Sequence, residues 1–368
     1  MNPAAYEAAG VDYDILDAAK RAAVDLAAAT LANPARLGAD VARASLGEPA
    51  TIVQIGDLTL AVVLECLGTK SMIAREVEGA LGLDRWEAVG VDAVAAVVND
   101  LCCVGALPLT LNAYFATGSA DWYAGSRHRS LVAGWERACS SVGAAWVGGE
   151  SPTLPGLVDA EQIDLAGSAL GRLPAGRSPW LSQALLPGDE IVFVGSSGLH
   201  ANGASLARWL AKSADRCPGG WATELPDGRP FGDAVLDPTT LYPGLVEALF
   251  GAEIPVHYAT NISGHGLRKV MRAQRQLTYR VTNLPEVPAV LAFLASRAGL
   301  DARESYGTLN MGVGFAVFVA EGQGPAAAAA AAGAGYPALV AGTVEPGTRQ
   351  VVIEPIGVTY GTEELQLA

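Results

Sequence analysis

PGDEIVFVGSSGLHANGASLARWLAK, residues 187–212, runs from a turn through an apolar strand and a glycine-rich turn directly into a helical stretch. The order strand, glycine turn, helix collects backbone N–H groups at a helix start, where they can meet an anion. It gives the second half an α/β character. Downstream, LNMGVGFAVFVA (309–320) reads as a strand with a glycine turn and ALVAGTVE (338–345) as the last strand of the body. The alanine run 326–332 looks low-complexity, but alanine is the best helix former and suits a helix packed closely on a sheet. Upstream, the polar and proline-rich RLPAGRSPW (172–180) marks a boundary. Before it, TIVQIGDLTLAVVLE (51–65) is two strand-like stretches broken at Gly56-Asp57, a hairpin signal. DRWEAVGVDAVAAVVNDLCCVGA (84–106) predicts a helix apolar on nearly every face, hence buried. LTLNAYFATG (109–118) predicts a strand, RHRSLVAGWERACSSVG (127–143) an amphipathic helix, AAWV a short strand and GGESPTLPG (148–156) a turn.

Residues 12–33 predict a helix starting near Asp12, and 34–50 a loose connection. The expected organisation is a helical and loop segment (1–50), a first domain (51–171), a second domain (180–346) and a tail (347–368), with no short-period repeat. The length of 368 residues fits two domains. With 38 acids against 24 bases the net charge is −14, which argues against a nucleic-acid partner, since that needs a basic face. A 51% hydrophobic share against 17% charged excludes disorder. No apolar run approaches the roughly 18–20 residues of a membrane helix. Glu7, Asp12, Asp14 and Asp17 rule out a basic signal peptide, and the five cysteines include no CxxC pair, so a cytoplasmic protein with core thiols is expected.

Four turns could carry chemistry: ECLGTK (65–70), GVD with VND (90–100), GGESPTLPG (148–156) and SSGLHANG (196–203). Singly each is weak, because glycine turns after strands are mostly structural. Asp92 and Asp100 lie about two helical turns apart on an apolar helix with no adjacent cation in sequence. Buried carboxylates there need a donor, a cation or a metal, although Asp92 could also cap the helix.

Taken together, GVD (10–12), GTK (68–70), GVDAVAAVVNDLCCVGALPL (90–109), YFATG (114–118), VGGESPTLPG (147–156), GSSGLHANGASLAR (195–208) and NMGVG (310–314) occur in order. Over residues 10–345 the chain resembles the aminoimidazole ribonucleotide synthetases, or phosphoribosylformylglycinamidine cyclo-ligases. The resemblance implies a two-domain α/β (α+β) fold, a homodimer built on the N-terminal sheets, and an ATP-dependent ring closure on a small-molecule ribonucleotide. ATP and Mg²⁺ are the implied cofactors, since an acidic chain must hold a polyanion. It places nucleotide contacts at Gly68, Thr69, Lys70, Asn99, Asp100 and Glu150, and metal contacts at Glu65, Asp92 and Asp100. Substrate contacts fall at Ser196, Ser197, Gly198, His200, Asn202 and Gly203. Lys70 is the implied phosphate-facing cation, or else a solvated surface lysine. His200 is the implied acid or base, or else a helix-capping histidine.

The chain departs from the family pattern at several points. DGVGTK is replaced by a stretch with Glu65 and Cys66, and the glycine-rich N-terminal loop by LGADVARASLGEP. Val24 stands where a lysine is expected, HxTGGG becomes NISGHG (261–266) with a new His265, and PTR becomes Pro238-Thr239-Thr240 after Asp237. Three readings follow: a cyclo-ligase of purine synthesis, a divergent paralogue activating another amide or amidine, and a nucleotide-binding homologue without catalysis.

Overall fold

The hairpin signal at Gly56-Asp57 becomes a real hairpin, with Gly56 at φ 55° between strands that pair antiparallel from Thr51 to Val62. A computed structural model describes residues 22–365, so the expected helix start at Asp12 and the GVD of residues 10–12 lie outside the described residues. Helix is present over 22–28 and includes Val24.

The first sheet contains β1 (Ala39–Val41), β2 (Thr51–Ile55), β3 (Leu58–Cys66), β4 (Leu107–Thr117), β5 (Ala145–Glu150) and β6 (Ile163–Arg172). Their order is β1-β2-β3-β6-β4-β5, antiparallel except for the parallel pair β4–β5. Helices α1 (Lys70–Leu81), α2 (Trp86–Cys103) and α3 (Ser126–Ser141) belong to this domain. Strand alternation decides which face they cover. Ala61 and Val63 are buried against α2, whereas Val62 and Leu64 are 44% and 73% exposed on the other face. Glycine permits the tight α2–α3 crossing: a Cβ on Gly134 would lie 1.9 Å from the Glu87 carbonyl oxygen.

Two expectations are corrected here. The turn expected from 148 begins later, because β5 runs on to Glu150 in register with β4. The connection 34–50 is not loose: it contains β1, and Glu48 accepts a 2.9 Å bond from the Tyr258 hydroxyl while Arg272 donates to the Gly47 carbonyl.

The second sheet contains β7 (Glu190–Gly195), β8 (Val256–Asn261), β9 (Leu277–Val281), β10 (Val313–Val319), β11 (Ala338–Pro346), β12 (Gln350–Ile353) and β13 (Val358–Tyr360). The order is β13-β12-β9-β11-β7-β10-β8. The continuous apolar run VGFAVFV is buried throughout in β10, as an interior strand requires. Around the sheet lie α4 (Ala204–Ala211), α5 (Pro243–Gly251), α6 (Ala289–Ala298) and α7 (Gly324–Gly333), the last being the alanine run. β11 is not the last strand: residues expected as a tail add β12, parallel to β9, and β13 at the edge. The fold is mixed α/β, with an apolar core that includes residues of both halves.

Candidate functional site

Asp92 and Asn99 are seven residues apart on α2, close to two full turns, so they form one stripe along the helix. The extended segment Asp237–Tyr242 of the second domain lies on that stripe. Asp92 Oδ1 accepts the Thr239 N–H at 2.7 Å and the Thr239 hydroxyl at 2.5 Å. Asn99 donates to the Thr240 carbonyl at 2.9 Å and accepts the Tyr242 N–H at 2.9 Å. Lys70, at the start of α1, closes the group: its ammonium lies 2.7 Å from Asp92 Oδ2 and donates to the Asp237 carbonyl at 3.1 Å. Both charged side chains are fully buried. Burial pushes the Asp92 carboxyl up, against the pull of Lys70 and Thr239.

The reading of α2 as lacking an adjacent cation is therefore corrected, since Lys70 meets Asp92 through the fold. Lys70 is buried rather than a solvated surface lysine, and in this geometry its ammonium pairs with Asp92. The buried Lys70–Asp92 pair and its hydrogen bonds join the domains, alongside the less buried Arg208–Glu76 pair, and a lone member of the buried pair would carry a large desolvation cost.

The strand–turn–helix at 195–208 lies beside this junction. Ser196 donates to Asn310 Oδ1 at 2.9 Å, and the Ser197 hydroxyl donates to the Pro238 carbonyl at 2.6 Å. Gly198 and Gly203 take φ 144° and 97°, and the Leu199 side chain would lie 2.8 Å from a Cβ at Gly203. His200, at φ 59°, is buried and accepts the Ser197 N–H on Nε2 at 3.1 Å. Burial, with Lys70 nearby, pushes its pKa down to about 3, so it is neutral at physiological pH and orders the turn. Asn202 is partly exposed at the end of the turn, and Thr69 meets Ser205 across the domain boundary at 3.1 Å. Gly68, at φ 72°, has open space where a Cβ would project.

A second group remains partly open to solvent: Glu65, Asp100, Asn261, Ser263 and Lys269. Asn261, at the end of β8, donates to Asp100 Oδ1 at 3.3 Å. Two residues on, Ser263 accepts the Lys269 ammonium. Enclosure raises the Asp100 pKa, with Lys269 and then Arg272 pulling it down. Burial, followed by Arg272, lowers Lys269 to about 8, opposed by Asp100 and Glu65. His265, in the same loop, keeps φ 73° at a position where the family pattern has glycine, a backbone histidine tolerates better than most residues.

Glu150 stands apart. It is in register with Tyr114, which pairs with Ala166 and through it Cys66, so it shares their sheet face rather than that of Glu65. Of the residues expected to hold Mg²⁺, Asp92 pairs with Lys70 and Asp100 accepts from Asn261, and among the described residues no three His, Cys, Asp or Glu side chains are grouped to hold a metal.

Sequence reasoning missed Tyr242 and Lys269, and met Thr239 and Ser263 only as parts of the altered PTR and HxTGGG stretches. Tyr242 meets Asn99 through its backbone N–H, which leaves no residue-type signal. Lys269 lies just beyond NISGHG, on the 3₁₀ turn Gly266–Met271, where a lone lysine resembles any surface cation.

The two α/β domains, joined at glycine turns, carry a known pair of sequence profiles. Residues 47–173 match the AIR synthase related protein N-terminal domain, and 187–354 match its C-terminal domain. The chain belongs to the AIR synthase related family. It is 33% identical over 281 residues to the phosphoribosylformylglycinamidine cyclo-ligase of Methanothermobacter thermautotrophicus, covering 74% of this chain and 77% of that protein. Against the enzyme of the same name from Anaeromyxobacter sp. strain K, identity is 37% over 284 residues, covering 76% and 79%. Among solved structures, the HypE–HypF complex matches with a TM-score of 0.60 at 19% identity, over 86% of this chain and 92% of that one. AaThiL complexed with AMPPCP and TMP matches at 0.57 and 17%, over 85% and 89%. These two likenesses concern the fold alone. No helix among the described residues is long and apolar enough to cross a membrane.

Proposed function

We propose that the chain is an ATP-dependent cyclo-ligase acting on formylglycinamidine ribonucleotide. An amide oxygen of the substrate attacks the γ-phosphorus of ATP, forming an O–P bond as the bond to the ADP oxygen breaks. A neighbouring nitrogen then closes the ring: a C–N bond forms, the C–O bond to phosphate breaks, a proton leaves the nitrogen and phosphate departs. The observation that carries this reading is the meeting of the Gly68-Thr69 turn and the Ser196–Gly203 turn at one domain boundary, bridged by Thr69 and Ser205. Relatives named phosphoribosylformylglycinamidine cyclo-ligase at 30–37% identity support this choice of substrate.

ATP enters as a substrate. Gly68 and Gly198 leave backbone exposed or left-handed at the two turns, and Ser197, Asn202 and Asn261 offer polar atoms at the cleft. Positioning supplies most of the rate in such chemistry. The Lys70–Asp92–Thr239 junction fixes the two turns relative to each other, while Asp100 and Lys269 set the charge of the open cleft. The test is formation of aminoimidazole ribonucleotide coupled to ATP hydrolysis.

A second reading, the same amide activation on another substrate, is favoured by Glu65, a carboxylate one methylene longer than the family pattern, and by the altered NISGHG stretch at 261–266. Phosphate release with a different amide or amidine, and none with formylglycinamidine ribonucleotide, would select it.

The working form is a homodimer. Val62, Leu64, Trp146 and Val147 leave an apolar sheet face and edge exposed, which a second copy would cover. Light scattering at micromolar concentration is expected to give twice the chain mass, and Leu64→Lys to give a monomer. A monomeric wild type would contradict this.

A further inference from the structure

The 3₁₀ turn Gly266–Met271 carries Lys269 to Ser263 at the open cleft. It packs backbone against backbone: a Cβ on Gly266 would lie 2.3 Å from the Tyr306 carbonyl oxygen. Its second anchor is Arg268, which is buried. The Arg268 Nε–H is shared between the His265 and Gly307 carbonyls at 3.2 and 2.8 Å, and Nη1 donates to the Glu364 carbonyl at 3.0 Å. One guanidinium, a rigid fork of donors, thus ties together three stretches of chain.

Glu364 belongs to residues 357–365, beyond the part matched to the family's C-terminal domain, which ends at 354. This stretch is fastened from the side by Arg303, on the short helix Ala302–Tyr306. Arg303 donates to the Thr359 carbonyl at 2.8 Å and pairs with Glu364 Oε1 at 2.6 Å. The Tyr360 hydroxyl donates back to the Arg303 carbonyl at 2.5 Å. At the far end of the cleft turn, the Thr362 hydroxyl donates to the Arg349 carbonyl at 2.7 Å, and Arg349 Nε donates to the Met271 carbonyl at 2.9 Å. Both ends of the turn lead to the same terminal stretch.

We infer that residues 357–365 are a strap that holds the cleft loop 261–269, with Arg268 as the positioning residue that transmits the hold. Asn261 and Ser263, which meet Asp100 and Lys269, then depend on a contact 96 residues further along the chain. A loop released from the strap has to be ordered again when a ligand binds, so the loss falls on affinity more than on the chemical step. That consequence rests on the proposed function, whereas the hold itself does not.

Amide hydrogen exchange of the full chain, without ligand, reads the hold directly. The Arg303 side chain is 44% exposed, so Arg303→Ala frees the strap without leaving a buried charge. Exchange is expected to quicken over 357–365 and, about tenfold, over 263–269, with a smaller change over Trp86–Cys103. Arg268→Met cuts the same path at the loop and is expected to do likewise. With turnover measured, KM in Arg303→Ala is expected to rise about tenfold while kcat stays within about twofold. An Arg303→Ala protein whose strap exchanges faster while 263–269 does not would overturn the inference. So would Arg268→Met with wild-type exchange over 263–269, or faster loop exchange with an unchanged KM. A wild type without turnover would count against the proposed function, and the exchange data would still decide the strap.

Discussion

Lys70→Met is expected to destabilise the protein by about 3–5 kcal/mol, the scale of removing one partner from a buried ion pair. Its ammonium is fully buried 2.7 Å from Asp92, and among the described residues no other cation pairs with that carboxylate. Asp92→Ala should cost a similar amount, because it strands Lys70 and also deprives the Thr239 N–H and hydroxyl of their acceptor. Asp92→Asn keeps an acceptor for Thr239 and removes the charge. The double variant Lys70→Met with Asp92→Asn should therefore recover most of the loss, since a buried pair replaced by neutral groups is often tolerated. Urea midpoints read at constant m check this. If Lys70→Met unfolds like wild type while ATP affinity falls tenfold, the lysine faces phosphate and the junction is misassigned.

Asp100→Asn is expected to cut phosphoryl transfer by about a hundredfold with little change in melting temperature. Mispositioning by about 1 Å is enough for a loss of that size. Asparagine fits the space and can still meet Asn261, but it no longer draws Lys269 into place. Asp100 is partly exposed, unlike Asp92, so its removal leaves no buried charge. The two acids of α2 thus separate by experiment: Asp92 should register in stability and Asp100 in kcat/KM. Equal effects of both on stability would contradict the division between junction and cleft.

Much of the fold is legible because local patterns decide it. Gly56 must turn, the run 313–319 must be interior, and α2, apolar on nearly every face, must be covered. The tail was not legible: β12 and β13 are short and find their place only beside β9, through pairing that no local pattern encodes. Within the candidate site, motif residues could be listed but not sorted. The partner of Asp92 through Thr239 is 147 residues away, and Lys70 belongs to another helix. Burial separates Lys70, Asp92, Asn99 and His200 from Glu65, Asp100 and Lys269, and burial is a property of the assembled domains. His200 shows the limit plainly: a histidine in a glycine turn does not reveal in sequence that its ring is enclosed and accepts the Ser197 N–H.

The most direct test is a single-turnover reaction of the purified chain with γ-labelled ATP and formylglycinamidine ribonucleotide, following aminoimidazole ribonucleotide and labelled phosphate together. The proposed function predicts the two products in a one-to-one ratio, both dependent on the ribonucleotide. Labelled phosphate released at the same rate without the ribonucleotide, or no phosphoryl transfer from bound ATP at all, would contradict it.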